Sequence, residues 1–199
     1  MNESEIEKLN EEIITCTKCP LYKYRNKAVP GWGNTKSEIM LVGEAPGREE
    51  DAKGIPFVGR AGKLLDEVLK IVGISREKVY ITNVVKCRPP ANRKPKRNEA
   101  LSCLPYLIKE ILLVEPKIIV LLGSTPATYL FNESIPYSRT PKIKALKEIR
   151  GKQGKITIQG KSFISIATFH PAAVLRNPKL RGEFEEDMRN ISKILTLNK

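Results

Sequence analysis

Short apolar runs alternate with amphipathic stretches along this chain, and that alternation predicts an α/β fold. The expected form is a three-layer α/β/α sandwich around a central, mostly parallel four-stranded sheet. Three observations carry it. EIMLVG (38–43), VYITNVV (79–85) and KIIVLLG (117–123) are nearly continuous apolar runs of strand length, as expected for strands covered on both faces. The stretch between the first two, GRAGKLLDEVLKIVG (59–73), repeats its apolar residues at helical spacing. No run approaches the roughly 18 apolar residues of a membrane span, so a membrane protein is not expected.

The elements follow in order. Ile6, Leu9, Ile13 and Ile14 lie on one face of an expected helix over residues 4–14, which stops at the C-T-K-C-P turn because Pro20 disfavours helical geometry before it. A loop leads to the strand at 38–43, which breaks at a rigid turn, E-A-P-G-R-E-E-D. The helix over 59–73 turns Leu64, Leu65, Val68, Leu69 and Val72 inward and ends at Gly73. After the strand at 79–85, residues 86–98 are basic, proline-rich and non-regular. Residues 99–114 read as a helix carrying Cys103, with Pro105 either in its first turn or kinking it. Ser124 is a candidate N-cap for a helix after the third strand. Residues 132–155 read as loop with a short helix near 142–149, residues 155–170 as a hairpin around Q-G-K, and residues 183–197 as a closing helix. A length of 199 residues, without repeats or a long linker, fits one domain.

Composition narrows the partners. Lys and Arg outnumber Asp and Glu by 35 to 22, a net charge of +13 that favours a polyanion such as nucleic acid; solubilising surface charge is the plain alternative. Gln occurs only at 153 and 159 while Ile, Lys and Glu are abundant, a thermophile-like balance.

All four cysteines stand out: Cys16 and Cys19 in C-T-K-C, then Cys87 and Cys103. Four thiolates suit a tetrahedral zinc or a [4Fe–4S] cluster, and the sequence leaves the two close, because Cys87 and Cys103 do not form a second tight pair. Residues 1–15 read as an acidic helix and not as a secretory leader, so an intracellular, cytoplasmic protein without disulfides is expected. A shared site would tie the N-terminal segment to the 86–103 region.

Candidate ligand-binding residues gather at the carboxyl ends of the strands, where open α/β sheets bind ligands. Gly43-Glu44-Ala45-Pro46-Gly47 ends the first strand and can present backbone amides to an anion, or be a plain turn. Asn83 ends the second and offers the donor–acceptor pair that reads a base edge; its bland reading is a buried turn cap. His170, the single histidine, ends the last and can donate to a developing oxyanion. Phe57, between Pro56 and Gly59, can stack on a flat heterocycle or be a core anchor. Leu175 and Arg176 offer an apolar wedge and a phosphate-binding cation, or merely a helix start.

Taken in order, V-G-E-A-P-G-R-E-E-D, G-I-P-F-V-G-R-A-G-K-L-L-D, Y-I-T-N-V-V-K-C-R-P-P-x-N-R-x-P and H-P-A-A-V-L-R, with C-T-K-C-P-L before them and C-x-P-Y-L between, resemble the family 4 (iron–sulfur) uracil-DNA glycosylases. The matching segments span residues 16–176. The resemblance implies a [4Fe–4S] cluster on Cys16, Cys19, Cys87 and Cys103, and a flipped uracil stacked on Phe57. It implies a pocket of Gly43, Glu44, Ala45 and Glu50, with Asn83 on the base edge and His170 facing the uracil O2. Glu44 and His170 would be catalytic; Arg88, Arg93, Leu175 and Arg176 would meet the DNA. The reaction implied is hydrolysis of the N-glycosidic bond without strand cleavage, in single- or double-stranded DNA, by a monomer that a sliding clamp can recruit. The best-known branch of the superfamily has an Asp where this chain has Ala45, so water activation is assigned to no residue. The competing readings are a branch with broader base specificity, a non-catalytic zinc-dependent nucleic-acid-binding protein, and an iron–sulfur electron carrier.

Overall fold

A computed structural model describes residues 2–131, 134, 135 and 146–197. Its strands are β1 (Trp32–Gly33), β2 (Ile39–Gly43), β3 (Val79–Asn83), β4 (Ile118–Leu122), β5 (Ser134–Ile135), β6 (Gln153–Ile158) and β7 (Lys161–Thr168). They form one sheet in the order β1-β3-β2-β4-β7-β6-β5. The expected four parallel strands are its centre, β3-β2-β4-β7. The sheet is wider than expected, because β1 joins antiparallel beside β3 and the hairpin partner β6 carries the short β5. Two-residue strands such as β1 and β5 leave no periodic signal to read.

The helices are α1 (Asn2–Ile14), α2 (Arg48–Lys53), α3 (Arg60–Ile71), α4 (Arg97–Val114), α5 (Ser124–Leu130), α6 (Leu146–Ile149), α7 (Pro171–Arg176) and α8 (Arg181–Leu197). Residues 142–145 of the expected short helix lie outside the described residues. Strand alternation divides the core in two. Met40, Val42, Tyr80, Ile119 and Leu121 face Ile13 of α1, Leu107 and Ile111 of α4 and Leu130 of α5. Leu41, Ile81, Val120 and Ile166 face Leu65 and Val68 of α3, Val174 of α7 and Phe184 and Met188 of α8. The three layers expected from the sequence are therefore present.

Of two local expectations, one is narrowed and one corrected. Pro105 lies well inside α4, which rules out the first-turn reading and leaves the kinking one; the apolar contacts of α4 keep the helix docked. The cap of α5 is Gly123 and not Ser124. Gly123 has φ 97°, and a Cβ there would come within 3.0 Å of the His170 Cβ, so glycine is needed for both the turn and the close approach.

Connections leave β2 and β4 toward opposite faces: β2 runs on to α2 and then α3, on one layer, while β4 runs on to α5, on the other. Adjacent parallel strands whose connections diverge open a crevice beyond their carboxyl ends.

Candidate active site and metal centre

A cavity of about 400 Å³ occupies that crevice. It is lined by Glu44, Ala45, Pro46 and Gly47 after β2, by Asn83 at the end of β3, by Gly123 and Ser124 after β4, and by Phe169 and His170 after β7. Phe57 forms another wall, and Glu50, Arg93 and Arg176 also reach it. Most of the ligand-contacting residues expected from the sequence are thus brought together.

Asn83 is 1% exposed, and its Oδ1 has no hydrogen-bond partner among the described residues. A buried carbonyl oxygen left unpaired carries a penalty of about 1–3 kcal/mol, which a ligand N–H would remove. Gly43 makes room for this amide: a Cβ there would fall 2.3 Å from the Asn83 Oδ1 and 2.6 Å from the Phe57 ring. Gly43 therefore acts through the space it leaves.

The His170 ring lies 5.6 Å from the Phe57 ring, centroid to centroid, with the planes tilted by 30°. The Ala172 N–H donates to His170 Nδ1 at 3.0 Å. A nitrogen that accepts carries no proton, so the neutral ring keeps its hydrogen on Nε2. Burial, helped by the positive charge of Arg176, pushes the His170 pKa down to about 4. At neutral pH this side chain is an uncharged Nε2–H donor.

Phe57 has a left-handed backbone, φ 53°, uncommon and strained for a residue with a side chain. Two neighbours impose it. Glu50 Oε1 accepts the Val58 N–H at 3.0 Å and the Gly59 N–H at 2.8 Å. Gly62 lets the helix backbone press on the Phe57 carbonyl, where a Cβ would intrude to 1.9 Å. The other Glu50 oxygen accepts the Gly47 N–H at 3.1 Å, tying the carboxylate to the N-cap backbone of α2. Glu50 is thus a brace for the aromatic wall, with both oxygens engaged by backbone. Neighbouring Asp51 is likewise committed, accepting from the Asn26 N–H at 2.9 Å and Nδ2 at 2.6 Å. Glu44 differs: it lies at the cavity rim, and one oxygen accepts the Thr125 hydroxyl. Thr125 was invisible to sequence reasoning, since a Thr in a helix's first turn has no distinguishing pattern.

Of the expected DNA-contacting residues, Arg93 and Arg176 line the cavity, whereas Arg88 and Leu175 are not among its lining residues. Leu175 is an exposed apolar side chain on α7. Arg176, beside it, lines the cavity. Arg93 is gripped by Glu99 through two bonds of 2.8 and 2.7 Å, so its charge is already matched. The Arg88 Nε donates to the Asn92 side chain at 2.8 Å.

On the α1–α4 side of the sheet, Cys16, Cys19, Cys87 and Cys103 line one small hollow with Ile13, Tyr22 and Tyr106. Among the described residues, no three His, Cys, Asp or Glu side chains are gathered as ligands of a single metal ion. The sulfurs receive N–H donors: Lys18 N–H to Cys16 at 3.5 Å, Lys86 N–H to Cys103 at 3.3 Å, and Arg25 Nη1 to Cys87 at 3.1 Å. Arg25 also donates to the Ile14 and Cys16 carbonyls, stitching the end of α1 to the Cys87 loop. Burial raises the Cys19 and Cys87 thiols and pushes Cys103 up to about 12, so ligation there must displace protons. Four soft donors around a shared hollow, with N–H groups aimed at the sulfurs, fit a thiolate-bound metal group.

The sequence matches the family described as the uracil DNA glycosylase superfamily over residues 30–193. It is 47% identical over 190 residues to a type-4 uracil-DNA glycosylase of Sulfurisphaera tokodaii, covering 95% of this chain and 84% of the relative. It is 50% identical over 184 residues to the type-4 uracil-DNA glycosylase of Pyrobaculum aerophilum, covering 92% of this chain and 91% of that one. A type-4 uracil-DNA glycosylase of Saccharolobus solfataricus is 46% identical over 187 residues, 94% of this chain and 84% of its own length. With a strand-end cavity that presents an amide oxygen unpaired among the described residues, an aromatic wall and a neutral imidazole, this chain belongs to the uracil DNA glycosylase superfamily, in its type-4 branch.

Proposed function

We propose that this chain removes uracil from DNA by hydrolysing the N-glycosidic bond of a nucleotide flipped into the cavity. The observation that carries the reading is the buried Asn83 amide, whose Oδ1 is unpaired among the described residues, beside Phe57 and His170. Uracil presents an N3–H donor next to an O4 acceptor; an amide offers the matching oxygen and NH₂. Cytosine presents the reverse pattern and leaves both unpaired. The Phe57 face supplies stacking.

Bond cleavage leaves negative charge on the base and positive charge on the sugar. The His170 Nε2–H, uncharged and fixed by the Ala172 N–H, donates to the uracil O2 as charge collects there. The Glu44 carboxylate, oriented by the Thr125 hydroxyl, faces the cationic sugar. Water then adds to the sugar, giving free uracil and an abasic site. The scheme has no amine nucleophile, so the strand stays intact. Arg176 would hold a phosphate while Leu175 enters the space the flipped nucleotide leaves.

Cys16, Cys19, Cys87 and Cys103 would hold a [4Fe–4S] cluster, which when bound supplies a covalent cross-link between the N-terminal segment and the 86–103 region. Four thiols that line one hollow support the cluster.

The test uses anaerobically purified protein, a labelled duplex with one uracil, and alkali to reveal abasic sites, with a thymine duplex alongside and iron assayed on the same protein. Free uracil with alkali-labile strands at uracil alone is the expected result. Metal-loaded protein that binds DNA and releases no base would contradict it and favour a non-catalytic binding protein.

A further inference from the structure

Lys86 and Glu110 form a buried charged pair next to the end of β3 that the scheme above leaves unused. Lys86 is 1% exposed and Glu110 0%. The Lys86 Nζ lies 2.6 Å from Glu110 Oε2. Removing two charges from water costs much of what their attraction returns, and an apolar pair of similar volume is often equally stable. Stability alone is thus a poor reason for burying them here.

Geometry gives a better one. The ammonium donates to Glu110 Oε2 at 2.6 Å, to Thr82 Oγ1 at 2.5 Å and to the Asn83 backbone carbonyl at 2.8 Å. These use all three of its protons. Glu110 is fixed in turn by the Thr82 hydroxyl at 2.8 Å and the Gly31 N–H at 2.9 Å. The Lys86 backbone is pinned too: its N–H donates to Cys103 Sγ at 3.3 Å, and its carbonyl accepts the Val29 N–H at 2.7 Å. Asn83 is the last residue of β3, where the parallel ladder with β2 ends at Gly43. The Val84 and Val85 N–H groups continue the pairing with Gly43 and Glu44, and Lys86 adds a charged donor to the carbonyl of the residue whose side chain faces the ligand.

We infer that Lys86 is a positioning residue for base recognition. It clamps the Asn83 backbone so that the amide meets the base in one orientation, and its place between the thiol corner and the end of β3 ties that orientation to the metal loop. The inference rests on Asn83 reading the base, as proposed above.

The experiment is a double-mutant cycle under single turnover on the metal-loaded protein, with Lys86→Met, Asn83→Ala and both together. Iron content, inhibition by free uracil and uracil-over-cytosine selectivity are measured on the same preparations. Lys86→Met should retain iron, slow excision by about tenfold to a hundredfold, weaken uracil inhibition, and add almost nothing to Asn83→Ala. Excision within about twofold of the parent overturns the inference, as do single effects that multiply in the double variant. Should the lone Glu110 charge prevent folding of Lys86→Met, Lys86→Met with Glu110→Leu removes both charges and is read the same way. Loss of iron from that paired variant also overturns it, because Lys86 would then serve the thiol corner and not Asn83. An Asn83→Ala protein with normal excision is a different result: it removes the base-reading assignment itself.

Discussion

The two chemical centres of this molecule treat polar atoms in opposite ways. In the strand-end cavity, hydrogen-bonding capacity is left unspent: the Asn83 Oδ1 has no partner among the described residues, and the His170 Nε2–H is kept available by the bond to Nδ1. At the thiol corner, the protein supplies donors in advance, from Lys18, Arg25 and Lys86 to three sulfurs. A pocket that reads a ligand must hold its bonds open until the ligand arrives, at a cost in stability. A metal site must spread thiolate charge into the protein permanently. The same contrast separates two carboxylates of the cavity. Glu50 has both oxygens engaged by backbone amides and braces Phe57, whereas Glu44 makes one side-chain bond at the rim.

The thiol corner should give the largest effect when broken. Cys103→Ala is expected to lose iron and to lower the melting temperature by roughly 10 °C or more, because ligation energy is folding energy. Full iron content with an unshifted melt would take Cys103 out of the ligand set.

The cavity comes next. His170→Ala should slow excision by about 10²–10³-fold, the usual effect of losing an oxyanion donor, with little change in the melt at neutral pH. The wild-type rate should show no His titration near 6.5 and should fall only as pH approaches about 4. Stability carries the same sign. Below about 6.5 the unfolded chain takes a proton that the folded chain refuses until about 4, so stability falls as pH drops through that window and is full above it. As the single histidine, His170 can be followed by NMR without assignment, and a midpoint near 6.5 would contradict its burial.

The smallest effect sharpens the comparison at the mouth. Arg176→Ala should weaken DNA binding and reduce the salt slope by about one, while Arg93→Ala should change the slope less, since Glu99 already matches its charge. Equal slopes for the two variants would remove the distinction.

Much of this is legible in the amino-acid sequence. The central strands announced themselves because strands buried on both faces must be apolar, and Asn83 and His170 because polar residues ending such runs stand where ligands bind. The thiols were readable from their isolation in the chain. The bracing groups were not. Lys86 and Arg25 look like members of a basic surface until burial singles out Lys86 and the bond to the Cys87 sulfur singles out Arg25. Glu50 and Asp51 look like solvated acids in a turn, but the neighbouring loops fold over them and give them backbone and side-chain donors. Such roles come from tertiary approach, which leaves no period in the sequence.

The most direct test is Asn83→Asp, assayed under single turnover on matched uracil and cytosine duplexes. An ionised carboxylate has no donor for uracil O4, but can accept from the cytosine amino group. Uracil excision should fall by at least about a hundredfold while the cytosine-to-uracil ratio rises. Unchanged selectivity in protein with its iron intact would contradict the claim that this buried amide reads the base.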